Sequence, residues 1–370
     1  MTANSTTPHS GGDSALQGSF PALRLDHLER LTDSAGIVQH AFFSVPDLTH
    51  GYSIDDQARA LIIAIAHTRL RSERLPPQVI YTYLSFLRFA ANADGSFHNF
   101  LSCNRAWLDE RGSDDSQGRA LWALGYAARY GPEPGISNAA EALFVASLPA
   151  AQKLGSPRTW AFTLFGLHHF LQWRADPSQV LVVRALADRL THRYAVEASS
   201  SWRWFEPTVT YCNGKLPAAL LLAYELTGEA RYLEVGLSTL SWLLDQLFDS
   251  AGRLRVVGQN GWFPRGGAKA AFDEQCVDAQ GTIEAALIAS RITGQAEWRE
   301  LALAAFSWFH GRNVHGLPLV DTATGGCYDA LTPEGRNQNM GAESIICYLL
   351  AYLDLVDSRI LTLDGAAPSK

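Results

Sequence analysis

Two stretches carry nearly the same phrase: Ile54-Asp55-Asp56-Gln57-Ala58-Arg59-Ala60-Leu61 and Ser113-Asp114-Asp115-Ser116-Gln117-Gly118-Arg119-Ala120-Leu121. Each opens an apolar run of helical spacing, and each follows a loop rich in aromatic and polar residues. A carboxylate pair at the mouth of a helix, repeated further along, implies helical hairpins whose loops gather on one side. That side is then the place to look for acid chemistry.

Working outward, 3.6-residue periodicity and the Gly and Pro breakers predict twelve helices. They fall near residues 24–33, 54–70, 77–92, 114–130, 136–152, 158–172, 177–195, 213–227, 229–248, 275–294, 296–311 and 340–357. No period-2 alternation is sustained, and Leu254-Arg255-Val256-Val257 is at most a loop strand. Long loops precede the helices near 54, 114, 213, 275 and 340, whereas short turns such as Thr227-Gly228-Glu229 and Thr293-Gly294-Gln295 follow them. Helices after long loops are rich in small residues, as in Pro217-Ala218-Ala219 and Glu284-Ala285-Ala286, which suits close inner packing. Helices after short turns carry one apolar face and suit an outer layer. Six such pairs predict an all-α fold, a closed (α/α)6 barrel of six helical hairpins. An open solenoid is the alternative, but it would show a tighter repeat and short loops on both faces.

The chain has 370 residues, 47% of them hydrophobic, enough for a substantial core. No internal boundary divides it, so residues 24–370 are expected to form a single domain behind a disordered leader, 1–23, that is rich in Ser, Thr and Gly. Net charge is −7 without a basic stripe, which argues against nucleic acid as partner. No apolar run is long enough to span a bilayer and no signal-peptide pattern opens the chain, so a cytoplasmic, soluble protein is expected. The five Cys are scattered and suggest no disulfide framework. Cys-x-x-Cys and His-x-x-x-His spacings are absent, so no metal and no cofactor is expected.

The long loops open on one end of the barrel and bring a distinctive set of residues there. Asp55, Asp56, Asp114, Asp115 and Glu343 are the candidate catalytic carboxylates. Trp107, Trp160, Trp204, Glu206, Tyr211, Asn213, Trp262, Arg265, Asp273, Asp278 and Asn339 are the candidate substrate contacts. Aromatic faces stack on the C–H faces of sugars, while carboxylates and amides satisfy hydroxyls, so the expected ligand is an oligosaccharide or glycoside. Structural roles compete at several positions. An Asp at a helix start caps it and complements the dipole, and Ser53 with Asp56 fits a capping box. Arg59 and Arg119 have the spacing to pair with a nearby Asp. Glu343 has the spacing to act as a cap partner for Asn339, and Glu284 reads as a buried polar anchor.

The stretch Thr32-Asp33-Ser34-Ala35-Gly36-Ile37-Val38-Gln39-His40, with His50-Gly51-Tyr52-Ser53-Ile54-Asp55-Asp56-Gln57-Ala58-Arg59-Ala60-Leu61, resembles a family of six-hairpin glycosidase-like domains. The resemblance continues through Ser113-Asp114-Asp115, Trp204-Phe205-Glu206, Phe272-Asp273-Glu274-Gln275 and Asn337-Gln338-Asn339-Met340-Gly341-Ala342-Glu343-Ser344, covering about residues 24–356. The chain departs from the family pattern at Gln57, where Asn is usual, and in Glu274-Gln275-Cys276-Val277-Asp278, where the last acid is shorter than the usual Glu. The resemblance implies an (α/α)6 barrel, a carbohydrate substrate and an association with retaining family-four glycosyltransferases, beside which such domains are often encoded.

The expected activity is anomer-inverting glycoside hydrolysis by two carboxyl groups. One of the Asp pairs would supply the acid, since a neighbouring like charge raises a pKa, and Glu343 or Asp278 the base. A sugar epimerase would need two His in the site, for which His40, His50 and His98 are the loop candidates. A glycan-binding partner of a glycosyltransferase would keep the aromatics without needing the acids.

Overall fold

A computed structural model describes residues 19–70 and 77–368. Twelve α-helices account for the described architecture: α1 Asp26–Leu31, α2 Ile54–Leu70, α3 Pro77–Ala90, α4 Asp114–Tyr130, α5 Pro134–Ala151, α6 Pro157–Trp173, α7 Pro177–Glu197, α8 Lys215–Thr227, α9 Ala230–Leu247, α10 Cys276–Thr293, α11 Glu297–Phe306 and α12 Ala342–Asp357. Each matches an expected helix, with ends displaced by a few residues. The largest shift is in α11, whose last stretch tightens into a 3₁₀ turn at Ser307–Phe309.

The even-numbered helices pack side by side in the order α2, α4, α6, α8, α10, α12, and α12 returns to α2. Each also packs on an odd-numbered helix, α1 covering α12. This is a closed (α/α)6 barrel. The inner helices bury nearly every side chain. In α4 all residues from Ser116 to Ala128 are buried, whereas in α7 only Val183, Leu186, Ala187, Leu190 and Thr191 are. Small residues permit the tight inner ring: a Cβ on Gly125 of α4 would lie 2.1 Å from the carbonyl oxygen of Gly166 on α6. The short turns expected at 228 and 294 end α8 and α10 with glycines in the left-handed region, at φ 68° and 72°.

The strands were too short to register in the sequence. Tyr52–Ser53 pairs with Phe100–Leu101, Thr208–Val209 with Phe263–Pro264, and Glu274–Gln275 with Ala330–Leu331. Two-residue ladders show no alternation, yet they tie the long loops together over the N-terminal ends of the inner helices. Leu254 makes only an isolated bridge to Phe248.

The leader expected over 1–23 is corrected at its end, and residues 1–18 lie outside the described residues. Leu23 is buried and donates its backbone N–H to Leu363, while Phe20 does the same to Gly365 and sets its ring 5.0 Å from Phe306. Apolar side chains at 20 and 23 have a place to bury between α11 and the segment after α12. Among the described residues, no helix is long and apolar enough to cross a membrane.

Candidate active site

The N-termini of the inner helices carry two linked polar clusters. In the first, Ser53 caps α2 by accepting the Asp56 N–H at 3.2 Å. Its hydroxyl also donates to the Asp56 carboxylate at 2.6 Å. That carboxylate takes the Arg59 guanidinium at 3.0 Å, and the same Nη2 donates to Glu343 of α12, also at 3.0 Å. Arg59 is almost wholly buried, while the Glu343 side chain is 42% exposed. Glu343 does not cap with Asn339: Asn339 accepts the Ala41 N–H at 2.9 Å and lies 3.2 Å from His40 Nδ1.

The second cluster lies between α2 and α4. Arg119 Nε sits 3.9 Å from Asp55, and its Nη2 lies 3.3 Å from Cys212 Sγ. Tyr211 donates its hydroxyl to Asp115 at 2.9 Å and stacks under Arg158, which pairs with Glu206 at 2.9 Å. Trp262 sets its ring 6.2 Å from that of Tyr211. Asp278 of α10 is buried and accepts both the backbone and the side-chain N–H of Asn213, at 3.1 and 2.9 Å.

These surroundings push the carboxyls apart. Burial raises Asp55 to about 6, against the pull of Arg119 and Arg59, and its buried Oδ1 has no hydrogen-bond partner among the described residues. Burial raises Asp278 to about 7, against the Asn213 N–H groups. Asp56 is raised by burial, opposed by Arg59 and Ser53. Burial also works against the charge on Glu343, but Arg59 and Arg119 outweigh it and hold the group below its ordinary value. A fifth acid, Asp329, is raised to about 7 by burial and then by the charge of Glu343, with Asn339 hydrogen-bonded to it and Asp273 adding further negative charge. Sequence reading passed over Asp329. It stands in the long loop before α12, just past the Gly325-Gly326 turn, and that position alone could have flagged it.

The two Asp pairs do not behave alike. Asp55, Asp56 and Asp115 belong to the clusters, but Asp114 turns aside to accept the Ser156 N–H at 3.2 Å, and the α4 cap itself is Ser113. Asp114 is therefore corrected to a loop-bracing role. The arginines do pair with acids as their spacing suggested, but Arg59 also reaches across to another helix.

Most loop tryptophans are corrected from ligand platforms to packing groups. Trp204 is fully buried against Trp242 and Phe205. Trp160 is buried and donates to Leu154 O. Trp107 stacks on His98 and against Phe86 and Phe89 of α3. Trp204 and Trp160 fill interior volume that no sequence pattern displays, while Trp107 stays half-buried against the outer helix. Arg265 is likewise turned away, pairing with Glu197 of α7 at 2.6 Å. Of the three loop histidines, His40 and His50 set their rings 4.5 Å apart, and His40 lies within the electrostatic reach of Asp56 and Glu343. His98 is instead held on Asp109 O. Among the described residues, no group of three or more His, Cys, Asp or Glu is placed to hold a metal ion.

No family model matches the chain, and no curated protein matches it. Solved structures do. A D-mannose isomerase superposes with a TM-score of 0.68 at 14% identity, covering 95% of this chain and 100% of that one. A cellobiose 2-epimerase from Bacillus thermoamylovorans B4167 gives 0.70 at 11% identity, covering 90% and 96%. The GH76A α-1,6-mannanase from Salegentibacter sp. HEL1_6 gives 0.60 at 10% identity, covering 90% and 96%. At these identities the similarity is one of fold, the (α/α)6 barrel.

Proposed function

We propose that the chain is a carbohydrate-active enzyme, and that it hydrolyses a glycosidic bond with inversion. The observation that carries this reading is the split between Asp55 and Glu343. Burial raises Asp55 to about 6 and its side chain stays 25% exposed, which suits the acid that protonates a leaving oxygen. Glu343 is kept ionised by Arg59 and is the more exposed of the two, which suits the base that activates water. Environments that separate two carboxyl pKa values are a mark of assigned acid and base roles. Asp278, with its pKa near 7, fits the ionised base less well than Glu343. Tyr211 and Trp262, close to Asp115, are the aromatic faces for a sugar ring. The similar folds include a mannanase named for α-1,6 linkages, which agrees with this class of substrate.

A second reading, sugar epimerisation, is favoured by the His40–His50 pair beside Asn339. Two neighbouring imidazoles suit removal and return of a proton next to a carbonyl, and two of the similar folds are an isomerase and an epimerase. One experiment separates the readings. The protein is incubated in D₂O with a panel of oligosaccharides and followed by ¹H NMR. Hydrolysis creates new reducing ends, first as the inverted anomer, without deuterium on carbon. Epimerisation creates a new stereoisomer carrying deuterium at the inverted carbon, with no new chain ends. Products of neither kind across the panel, with Glu343→Gln indistinguishable from wild type, would defeat both.

A further inference from the structure

The opposite end of the barrel is not closed. A cavity of about 620 Å³ opens between the C-terminal ends of the inner helices, a volume within the usual range for a small-molecule site. Its deep wall is aromatic, formed by Trp122, Tyr126 and Phe165. Glu284 also lines the cavity and pairs with Lys215, whose ammonium stands 3.7 Å from the Trp122 ring centre.

The mouth carries four arginines, Arg69, Arg129, Arg291 and Arg299. Helix C-termini favour cations, so part of this charge complements the helix dipoles. That effect does not account for the arrangement. Arg69 and Arg129 converge on one ring, 4.7 and 4.5 Å from the centre of Tyr130. Arg69 is neutralised by Asp357 at 2.9 Å and Arg291 by Glu225. Among the described residues, Arg129 meets only the Gln172 carboxamide besides the Tyr130 ring, and Arg299 meets only the carbonyls of Ser358 and Arg359. Two guanidinium groups thus reach the mouth without a carboxylate.

The remaining polar wall adds little negative charge. Burial keeps His168 and His169 below their ordinary pKa, hence neutral at neutral pH, and burial beside Glu284 pushes Asp354 above its ordinary value. Among the described residues, His168 Nδ1, His169 Nδ1 and Asp354 Oδ2 have no hydrogen-bond partner.

We infer that this cavity is a second ligand site, taking a small organic anion whose flat apolar body lies against Trp122 and Tyr126 and whose acid group meets Arg129 and Arg299. A planar guanidinium binds carboxylate or phosphate through paired hydrogen bonds, and an aromatic wall accepts the ring face. The site is independent of the reaction proposed at the other end.

The test is calorimetric titration of the full chain with benzoate, indole-3-carboxylate and phenyl phosphate, each against its neutral amide or alcohol. Saturable binding of at least one anion is expected, with the neutral analogue weaker by at least roughly tenfold. Arg129→Gln should weaken the anion by a similar factor, and Glu343→Gln should leave its affinity unchanged. Should Arg129→Gln fail to fold, Arg299→Gln, on the exposed face of α11, carries the same expectation. No saturable binding by any of the three would overturn the inference. So would equal binding of acid and amide, or affinity lost in Glu343→Gln but kept in the arginine variants.

Discussion

Arg59 on α2 and Glu343 on α12 meet at 3.0 Å across the seam where the first and last inner helices close the ring. Because Arg59 also holds Asp56, one buried guanidinium both bridges the seam and sets the charge of two carboxyls. The positioning of the candidate base and the closure of the barrel therefore depend on the same side chain.

Replacing Arg59 by Met should expose that dependence. Removing one partner of a buried ion pair typically costs about 3–5 kcal/mol because the other charge is left stranded. Here the buried Asp56 bears most of the loss, since Glu343 is partly exposed and screened by water. A clear fall in melting temperature at pH 7 is expected, shrinking as the pH is lowered and Asp56 and Glu343 take up protons. An equal destabilisation at pH 4.5 and pH 7 would show that packing, not charge, explains the effect.

The raised carboxyls predict the pH profile of stability. Asp278 titrates near 7 in the fold, against 3.8 for an ordinary Asp. A group raised in this way stabilises the fold fully below its unfolded pKa and loses that contribution as pH rises through the folded value. Asp55 and Asp329 act in the same direction, whereas the lowered Glu343 loses its contribution as pH falls. Each of these raised acids pulls the melting temperature down between about pH 4 and 7, while His168, His169 and His310, held low by burial, pull it up, so Asp278→Asn, which can still accept from Asn213, should gain on wild type as the pH rises over that range. A variant with the wild-type slope would remove Asp278 from this account.

Helix identity and ring closure were legible because they rest on local signals: periodicity, breakers and alternating loop lengths. The acids were half legible. The repeated phrase pointed to Asp55 and Asp115, which join the polar clusters, and equally to Asp114, which does not, because the direction of a first-turn side chain depends on what packs beside it, here the turn at Ser156. The aromatics misled for a related reason. A Trp in a loop reads as exposed, yet Trp204 lies wholly buried under α9, a neighbour defined only by the tertiary fold.

Two tryptophans, Trp204 and Trp262, should therefore respond oppositely to truncation. Trp204→Ala removes a fully buried ring and should destabilise by roughly 3–5 kcal/mol, with activity per folded molecule little changed. Trp262→Ala, at the partly exposed edge beside Tyr211, should barely alter melting but raise KM. Chemical denaturation with steady-state kinetics on both variants decides it. An unchanged KM in Trp262→Ala would remove that ring from the sugar site.

The inner ring's tightness is testable at Gly125. Alanine normally favours a helix over glycine by about 1 kcal/mol. At Gly125 the added Cβ would meet the Gly166 carbonyl at 2.1 Å, and backbone cannot step aside as a side chain can. Gly125→Ala should thus be strongly destabilising, whereas Gly135→Ala in α5, with open space around its Cβ position, should be neutral or stabilising. A stable Gly125→Ala protein would mean that α4 and α6 stand further apart than described.

The sharpest contrast is between Asp55 and Asp114, each the first acid of its pair and different in place. Asn retains a carbonyl oxygen at both positions, so neither substitution should unfold the protein. Asp55→Asn removes the proton donor from a site where Arg119 and Arg59 stay in position, and loss of a general acid costs roughly 10²–10⁴-fold in rate. Asp114→Asn still accepts the Ser156 N–H and should keep near-wild-type turnover. Glu343→Gln should match Asp55→Asn in size but differ in rescue. Activated glycosides with good leaving groups need no acid, so they should restore Asp55→Asn and leave Glu343→Gln inactive. The measurement is kcat on an aryl glycoside and on the natural linkage, with melting temperature recorded for each variant. Equal losses at 55 and 114 that track stability would mean that both pairs serve only the helix starts, and the acid would then have to be sought at Asp329 or Asp278.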